Sequence, residues 1–544
     1  MTVKRQILKS ASAIALVTVI SRICGYLRDQ RVALLLGTSP AADSFVLALR
    51  IPNLIRRMTG EGSMGAAFIP VFSGYLGDKP REKAWEFARK AFWDLAVVLG
   101  VLALLGTVFS RQVIAIYTVF AADRSRWDLA VFLNRIIFPA VFFVGLAALA
   151  AAILHCFRIF VLPASTPIFL NLVFILFSFG VVYRPVMRMA PPAYRSPAVA
   201  LAIGFLLGSM VQLAMHIPAL ARLGMRFGFE LSGSDPGVRK VGRLLGPAFF
   251  GMSVYQINQY VDTIFSASSL MPSGSVASLY VADRIMQLVL GTYAIAMSTA
   301  LLPTMSHQVA EGKMEEMKHT FGFSVRIVSF IAIPAAVGLI LLRQPIVQVL
   351  FQHGAFVAES TALTVRALFY YSLGLPAFAV IKLITPMYYS THDTMTPARV
   401  GAWSLVLNLG LNVIFLFFFF RYFLNGSPAL ASTIAAYFNF TALFVIFRKR
   451  HGALGSRGIV AAVGKMTLCA LAMAVACYAA LRFSGFAASQ RFLSQVSLLA
   501  AMILGSTTIY FGLARLLHCE ELSELLSLWR RRERAPFPAS GAEF

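Results

Sequence analysis

The chain has 544 residues, 58% hydrophobic and only 13% charged, with a mean hydropathy of +0.75. Soluble domains carry about 25% charged residues, so a soluble globular protein is excluded and an integral membrane protein is expected. The formal net charge is +25. Its cations gather mostly in short segments between apolar runs, which reads as membrane topology and not as a nucleic-acid surface.

A membrane span needs about 20 mostly apolar residues. Fourteen candidates follow in chain order, centred near residues 18, 58, 105, 142, 173 and 208, then 255, 292, 333, 375, 408 and 437, then 470 and 503. Long runs without ten-residue alternation predict an all-α polytopic bundle and argue against a β-barrel. The basic, then apolar, N-terminus reads as a retained first helix, because no clear cleavage site follows and arginines interrupt it. The second, seventh and eighth candidates carry polar residues and are the least apolar. Basic clusters precede the first span (Lys4, Arg5, Lys9) and follow the second, sixth, twelfth ("FRKRHGALGSR") and fourteenth ("WRRRER"). With an even helix count all of them fall on one side, so both termini are expected in the cytoplasm. "YRPVMRMAPPAYRS", after the fifth span, breaks the rule: it is basic but placed outside. The five cysteines are scattered without a CxxC pair, which speaks against zinc or a disulfide framework.

An internal repeat organises these spans. "LALRIPNLIRR" around Arg50 resembles "YVADRIMQLVL" around Arg284, and the two arginines are 234 residues apart. Pro163 in "VLPAS" and Pro397 in "MTPAR" share that offset. Two six-helix lobes related by a parallel repeat are expected, over 1–235 and 236–455. A final helix pair and a basic tail occupy 456–544. Chance similarity between apolar segments is the alternative.

The spans hold charges that hydrocarbon would exclude. "SRICGYLRDQ" sets Arg22 and Arg28 six residues apart, roughly 9 Å along a helix. Asp43, Arg50 and Arg57 follow at seven-residue spacing, with Arg56 beside the last, and Asp283 and Arg284 sit in the eighth span. A mid-membrane arginine costs about 2.5–3.5 kcal/mol to insert, so partners or a watery cavity must offset it. Internal pairing would join Asp43 to Arg50 and Asp29 to Arg22. The functional reading leaves arginines unpaired around a central cavity, where planar guanidinium forks suit phosphate oxygens. "RMTGEGSMGAAF", with Gly60, Glu61, Gly62 and Gly65, reads either as close helix packing or as a hinge. Asp262, with Asn258 one turn earlier, and Asn408 and Asn412 later, offers oxygen ligands for a hard cation or a proton; pairing with an arginine is the alternative.

"SRICGYLRDQ", "ADSFVLALRIPNLIRRM", "GEGSMGAAFIPVF" and "YVADRIMQLVLGTYAIAMSTALLPTMS" closely resemble the bacterial MurJ/MviN lipid II flippases. That family lies within the multidrug/oligosaccharidyl-lipid/polysaccharide exporter superfamily. The resemblance runs from about residue 8 to 515. It implies fourteen helices and a flippase of the bacterial cytoplasmic (inner) membrane. The implied substrate is lipid II, undecaprenyl-diphosphate disaccharide-pentapeptide, moved from the cytoplasmic to the periplasmic leaflet by alternating access. It implies diphosphate binding by Arg22, Arg28, Arg56 and Arg284, with Asp43, Arg50, Glu61 and Asp283 supporting the cavity or its gating. Asp262 matches an acid that binds sodium in some members, so sodium or the membrane potential is the expected coupling, with no required cofactor. The final helix pair is implied to extend a groove for the polyprenyl tail. Membrane lipids are expected partners and nucleic acid is not. A monomer is expected, as is association with cell-wall synthesis machinery.

Another polysaccharide-lipid flippase or a cation-coupled multidrug exporter of the same superfamily is the runner-up, although cation exporters should have acidic cavities. An intramembrane enzyme would need paired acids or a histidine among acids. The histidines here are isolated and no DxD-type metal motif occurs, so no enzyme is expected.

Overall fold

The computed structural model describes residues 3–58, 64–78, 80–121, 127–231, 233, 235–454, 456–486 and 491–524. Among them the regular structure is helical. The elements are α1 Val3–Leu36, α2 Pro40–Met58, α3 Met64–Asp78, α4 Arg81–Val108, α5 Ser110–Tyr117, α6 Asp128–Ile137, α7 Ala140–Cys156, α8 Val161–Leu176, α9 Gly180–Met189 and α10 Pro197–Ala214. The order continues with α11 Ile217–Arg222, α12 Pro236–Ser266, α13 Ser275–Ala310, α14 Met314–Phe351, α15 Ala358–Ser390, α16 Met395–Phe418, α17 Phe420–Phe423, α18 Ser427–His451, α19 Ser456–Phe483 and α20 Phe492–Leu516.

Local chemistry sets several starts. Ser196 Oγ accepts from Ala198 N at 3.2 Å ahead of Pro197, and Asp235 Oδ1 accepts from Gly237 N at 2.8 Å ahead of Pro236. A short polar cap followed by proline at the first helical position satisfies one free N–H and fixes φ.

Among the described residues nine helical stretches are long and apolar enough to cross a membrane, or ten if the bent pair α8–α9 is one span. They coincide with the spans expected near 105, 142, 173, 208 and from 333 to 503. The remaining four expectations fall on α1, α2 with α3, α12 and α13. These are helical, and they are not among the nine counted over the described residues. Arg57's side chain, Gly60, Glu61 and Gly62 lie outside the described residues, as does "WRRRER".

The chain forms two compact units. The first comprises 1–281, 351–363 and 412–428. Its core joins Phe45, Leu133, Phe174, Leu201 and Phe205, all nearly inaccessible, across α2, α6, α8 and α10. Small residues let these helices close up. Gly208 packs on the Leu170 backbone so tightly that a Cβ would lie 2.8 Å from its carbonyl oxygen. Asn134 Nδ2 bonds the Gly106 carbonyl at 3.1 Å and Ser110 Oγ at 2.9 Å, a polar tie between α6 and the end of α4.

The second unit comprises 282–350, 364–411 and 429–544. Here α19 and α20 pack on α14: Phe330, Met466, Met473 and Tyr510 form one apolar cluster, and Tyr510 Oη donates to the Phe330 carbonyl at 3.0 Å. Arg326 adds ion pairs to Glu520 at 3.0 Å and Glu521 at 3.4 Å. Asp393 Oδ1 caps α16 through Thr396 N at 2.9 Å, and Arg450 reaches Asp393 Oδ2 at 2.8 Å.

Candidate functional site

The first unit draws several of the expected charges into one network. Arg28, on α1, is not unpaired as the sequence reading supposed. Its Nε and Nη2 bond Asp29 Oδ1 at 2.9 and 2.7 Å, and Nη1 donates to Asn171 Oδ1 at 3.1 Å. Consecutive residues point apart on a helix, so the pair closes only because the long arginine curls back. Asp29 thus meets Arg28, a partner that the expected Asp29–Arg22 pairing overlooked. The guanidinium also lies 5.8 Å from the Phe174 ring centroid. These contacts offset the insertion cost of a part-buried cation.

Tyr280 Oη donates to Asp29 Oδ1 at 3.4 Å, and the Arg50 guanidinium lies 5.9 Å from the Tyr280 ring centroid. Tyr260 Oη donates to the Arg50 carbonyl. Arg28, Asp29, Asn53, Phe174 and Tyr280 share the wall of a cavity of about 20 Å³, room for about one water molecule. Arg56 stands one helical turn beyond Asn53 and bonds its Oδ1 from Nε at 3.2 Å. Arg22 is exposed on α1. Asp283, buried, and Arg284, half-buried, belong to the second unit.

Asp43 is only 2% exposed. Its Oδ2 accepts from Gly274 N and its Oδ1 from Ala277 N, both at 2.8 Å. A carboxylate from α2 therefore caps α13, where its charge meets the positive end of the helix dipole. These backbone donors are partners that the expected pairing with Arg50 did not include. Around this cap the turns between helices interlock. Gly37, at φ +57°, would set a Cβ 2.2 Å from the Ala355 carbonyl oxygen, and Gly274, at φ +87°, would set one 2.1 Å from that of Thr38. Only glycine fits either position. Ala355 N donates to the Leu34 carbonyl at 2.8 Å and Thr38 Oγ1 to Ser360 Oγ at 2.8 Å, closing this end of the first unit.

Asp262 is 1% exposed and accepts from Asn412 Nδ2 at 3.0 Å. Asn258 Oδ1, one turn earlier, is buried with no hydrogen-bond partner among the described residues. Carboxylate and amide oxygens of this kind suit a hard cation, although no group of three or more His, Cys, Asp and Glu that could hold a metal occurs among the described residues. Asn408, offered with this set, instead bonds Ser432 Oγ at 3.2 Å in the second unit.

Sequence reasoning missed Asn171 and Tyr280. Asn171 could have been found as the one polar side chain in "PIFLNLVFIL". Tyr280 carries no such signal, since a tyrosine in an apolar run is ordinary packing.

The chain is similar to known proteins. The family described as "Lipid II flippase MurJ" matches residues 32–497. A "Probable lipid II flippase MurJ" from Vibrio cholerae serotype O1 is 34% identical over 451 residues, covering 81% of this chain and 83% of the relative. One from Haemophilus influenzae is 30% identical over 518 residues, covering 92% and 98%. Among solved structures, "Lipid II flippase MurJ, inward closed conformation" matches with a TM-score of 0.75 and 25% identity, covering 92% of this chain and 98% of that one. An inward-facing multidrug resistance MATE family transporter of the MOP superfamily matches with a TM-score of 0.63 at 15% identity, over 79% and 95%; at that identity the likeness is one of fold.

Proposed function

The chain belongs to the lipid II flippase MurJ family, and from that premise we propose how its charged interior serves transport. It is a multi-pass inner-membrane protein and a lipid II flippase, working by alternating access; its family consists of transporters and not enzymes. In our reading Arg22, Arg28, Arg56 and Arg284 bind the diphosphate as the substrate crosses from the cytoplasmic to the periplasmic leaflet. Asp43, Arg50, Glu61 and Asp283 support the cavity or its gating. Fourteen spans, two six-helix lobes over 1–235 and 236–455, a lipid-groove pair over 456–544, cytoplasmic termini and a monomeric state complete the proposal. Association with the cell-wall synthesis machinery belongs to it as well.

The observation that carries this reading is the Arg28–Asp29–Asn171 network on the cavity wall. Among the described residues the partners of Arg28 are side chains, so an anion of higher charge can exchange for Asp29. A cavity of about 20 Å³ is too small for a diphosphate, so binding needs the wall to open. A ligand drives such a change only by binding one state better than the other, and a diphosphate meeting several arginines does so. The oxygens of Asp262, Asn258 and Asn412 would hold a coupling sodium ion, which supplies charge compensation for the buried carboxylate; the membrane potential is the other driving force in the proposal.

The test is reconstitution in vesicles with labelled lipid II, reading its exposure in the outer leaflet with and without an ion gradient. Wild type should flip, and Arg28→Ala and Arg284→Ala should not. Flipping at the wild-type rate by both variants rejects the diphosphate clamp.

A further inference from the structure

The basic segment after the fifth span, which broke the topology rule, folds into something definite. α8 ends at Leu176, and α9 leaves it at an angle of 72°. With α8 along the membrane normal, α9 lies within about 20° of the membrane plane. The bend is held from outside: Arg31 of α1 bonds Ser178 Oγ at 2.9 Å and the Ser178 carbonyl at 3.0 Å, and its guanidinium lies 4.7 Å from the Phe179 ring centroid. The far end is pinned by Tyr194, stacked on Phe132 at 4.7 Å.

No residue of α9 is buried. Val182, Tyr183, Val186 and Met187 are half-buried, on the side of the helix that packs on α10. The opposite side divides into two ridges of four-residue spacing. One is basic, Arg184 and Arg188, both exposed. The other is apolar: Val181, Pro185 and Met189, with Val181 at 89% and Met189 at 85% exposure. Apolar side chains this exposed need a cover, and cations in a row beside them need anions. A bilayer surface supplies both: acyl chains beneath, phosphates alongside.

We infer that α9 is an interfacial anchor, with Val181, Pro185 and Met189 dipped into the acyl boundary and Arg184 and Arg188 binding the phosphates of anionic phospholipids. Arginine forks take phosphate oxygens bidentately, and their alkyl stems lie along the apolar boundary. The segment is basic because it lies on the membrane, so its charge no longer reports the side of a loop.

The inference is independent of which substrate is moved, and its test does not read flipping. A fluorophore is attached at cysteine introduced by Val181→Cys or Met189→Cys in the full chain. The protein is reconstituted in phosphatidylethanolamine vesicles with or without phosphatidylglycerol. Lipid-attached quenchers should quench both labels, and a water-soluble quencher should not. Arg184→Gln with Arg188→Gln should lower phosphatidylglycerol retention, read by native mass spectrometry, about ten- to thirty-fold, with the thermal midpoint unchanged. Labels open to the water-soluble quencher in vesicles overturn the inference. So does unchanged lipid retention in the double variant. Shielding seen only in native membranes, and absent from pure lipid, assigns the face to a protein partner and overturns it too.

Discussion

Two acids of the first unit, fourteen residues apart, the half-buried Asp29 and the buried Asp43, are held in opposite ways. Asp43 is gripped by backbone: two N–H donors at the start of α13 point at it and cannot rotate away. Asp29 is gripped by side chains, Arg28 and Tyr280, each with rotamers to spare. The first arrangement specifies one geometry. The second can trade partners, which is what a site that binds and releases an anion needs. Intramembrane charge alone therefore does not mark a transport residue, because the kind of partner decides.

The largest effect expected from breaking this contrast is at Arg28. Arg28→Ala should abolish complementation of a flippase-depleted strain while leaving the protein inserted. Arg28→Lys should rescue only in part, because an ammonium is a single point charge and cannot reproduce the planar fork whose Nε, Nη1 and Nη2 reach Asp29 and Asn171 together. Full growth with Arg28→Ala at normal expression would make the network structural, like Asp43.

At Asp43 the loss should appear in stability first. Asp43→Ala leaves the Gly274 and Ala277 donors unpaired, at about 1–3 kcal/mol for each buried group. Asp43→Asn should lie between, since an amide oxygen can still accept from one of them. Thermal melts in detergent measure this, and a midpoint for Asp43→Ala equal to wild type contradicts the capping role.

Asp262 tests whether a third acid, 1% exposed, belongs with the exchangeable group. Sodium should raise the wild-type melting midpoint, because a ligand that binds the folded state stabilises it, and Asp262→Asn should remove that response. Identical curves for the two proteins across sodium concentrations make the role of Asp262 structural.

The smallest effect is expected at Asp393, an aqueous control outside the spans. Burial pushes its carboxyl up, but hydrogen bonds from Thr396 and the neighbouring Arg450 outweigh that and hold it below the ordinary value. A lowered carboxyl pKa adds stability above the unfolded-state value near 3.9, and that stability is lost as pH falls through the folded value. The midpoint difference between wild type and Asp393→Asn should therefore be flat from pH 8 to 5 and shrink on further acidification. A difference that grows on acidification reverses the sign and refutes this account.

The composition and the spacing of apolar runs by themselves determined that this is a helical membrane protein, and where its clearest spans lie. Hydropathy is a local property: Arg81–Val108 or Phe492–Leu516 can be read within a single window. The charges worth attention were legible for the same reason, since each interrupts an apolar run. Their partners were not. Arg28 meets Asn171 143 residues away and Asp43 meets Ala277 234 away, and nothing in either neighbourhood names the other. α9 escaped as well, because ten residues of mixed character read as a loop until α1 and α10 hold them in a bent helix. Only the tertiary structure decided which acid is a cap and which a counter-ion. Desolvation makes every buried charge seek a partner, but the chain's path through space determines which partner lies within 3 Å.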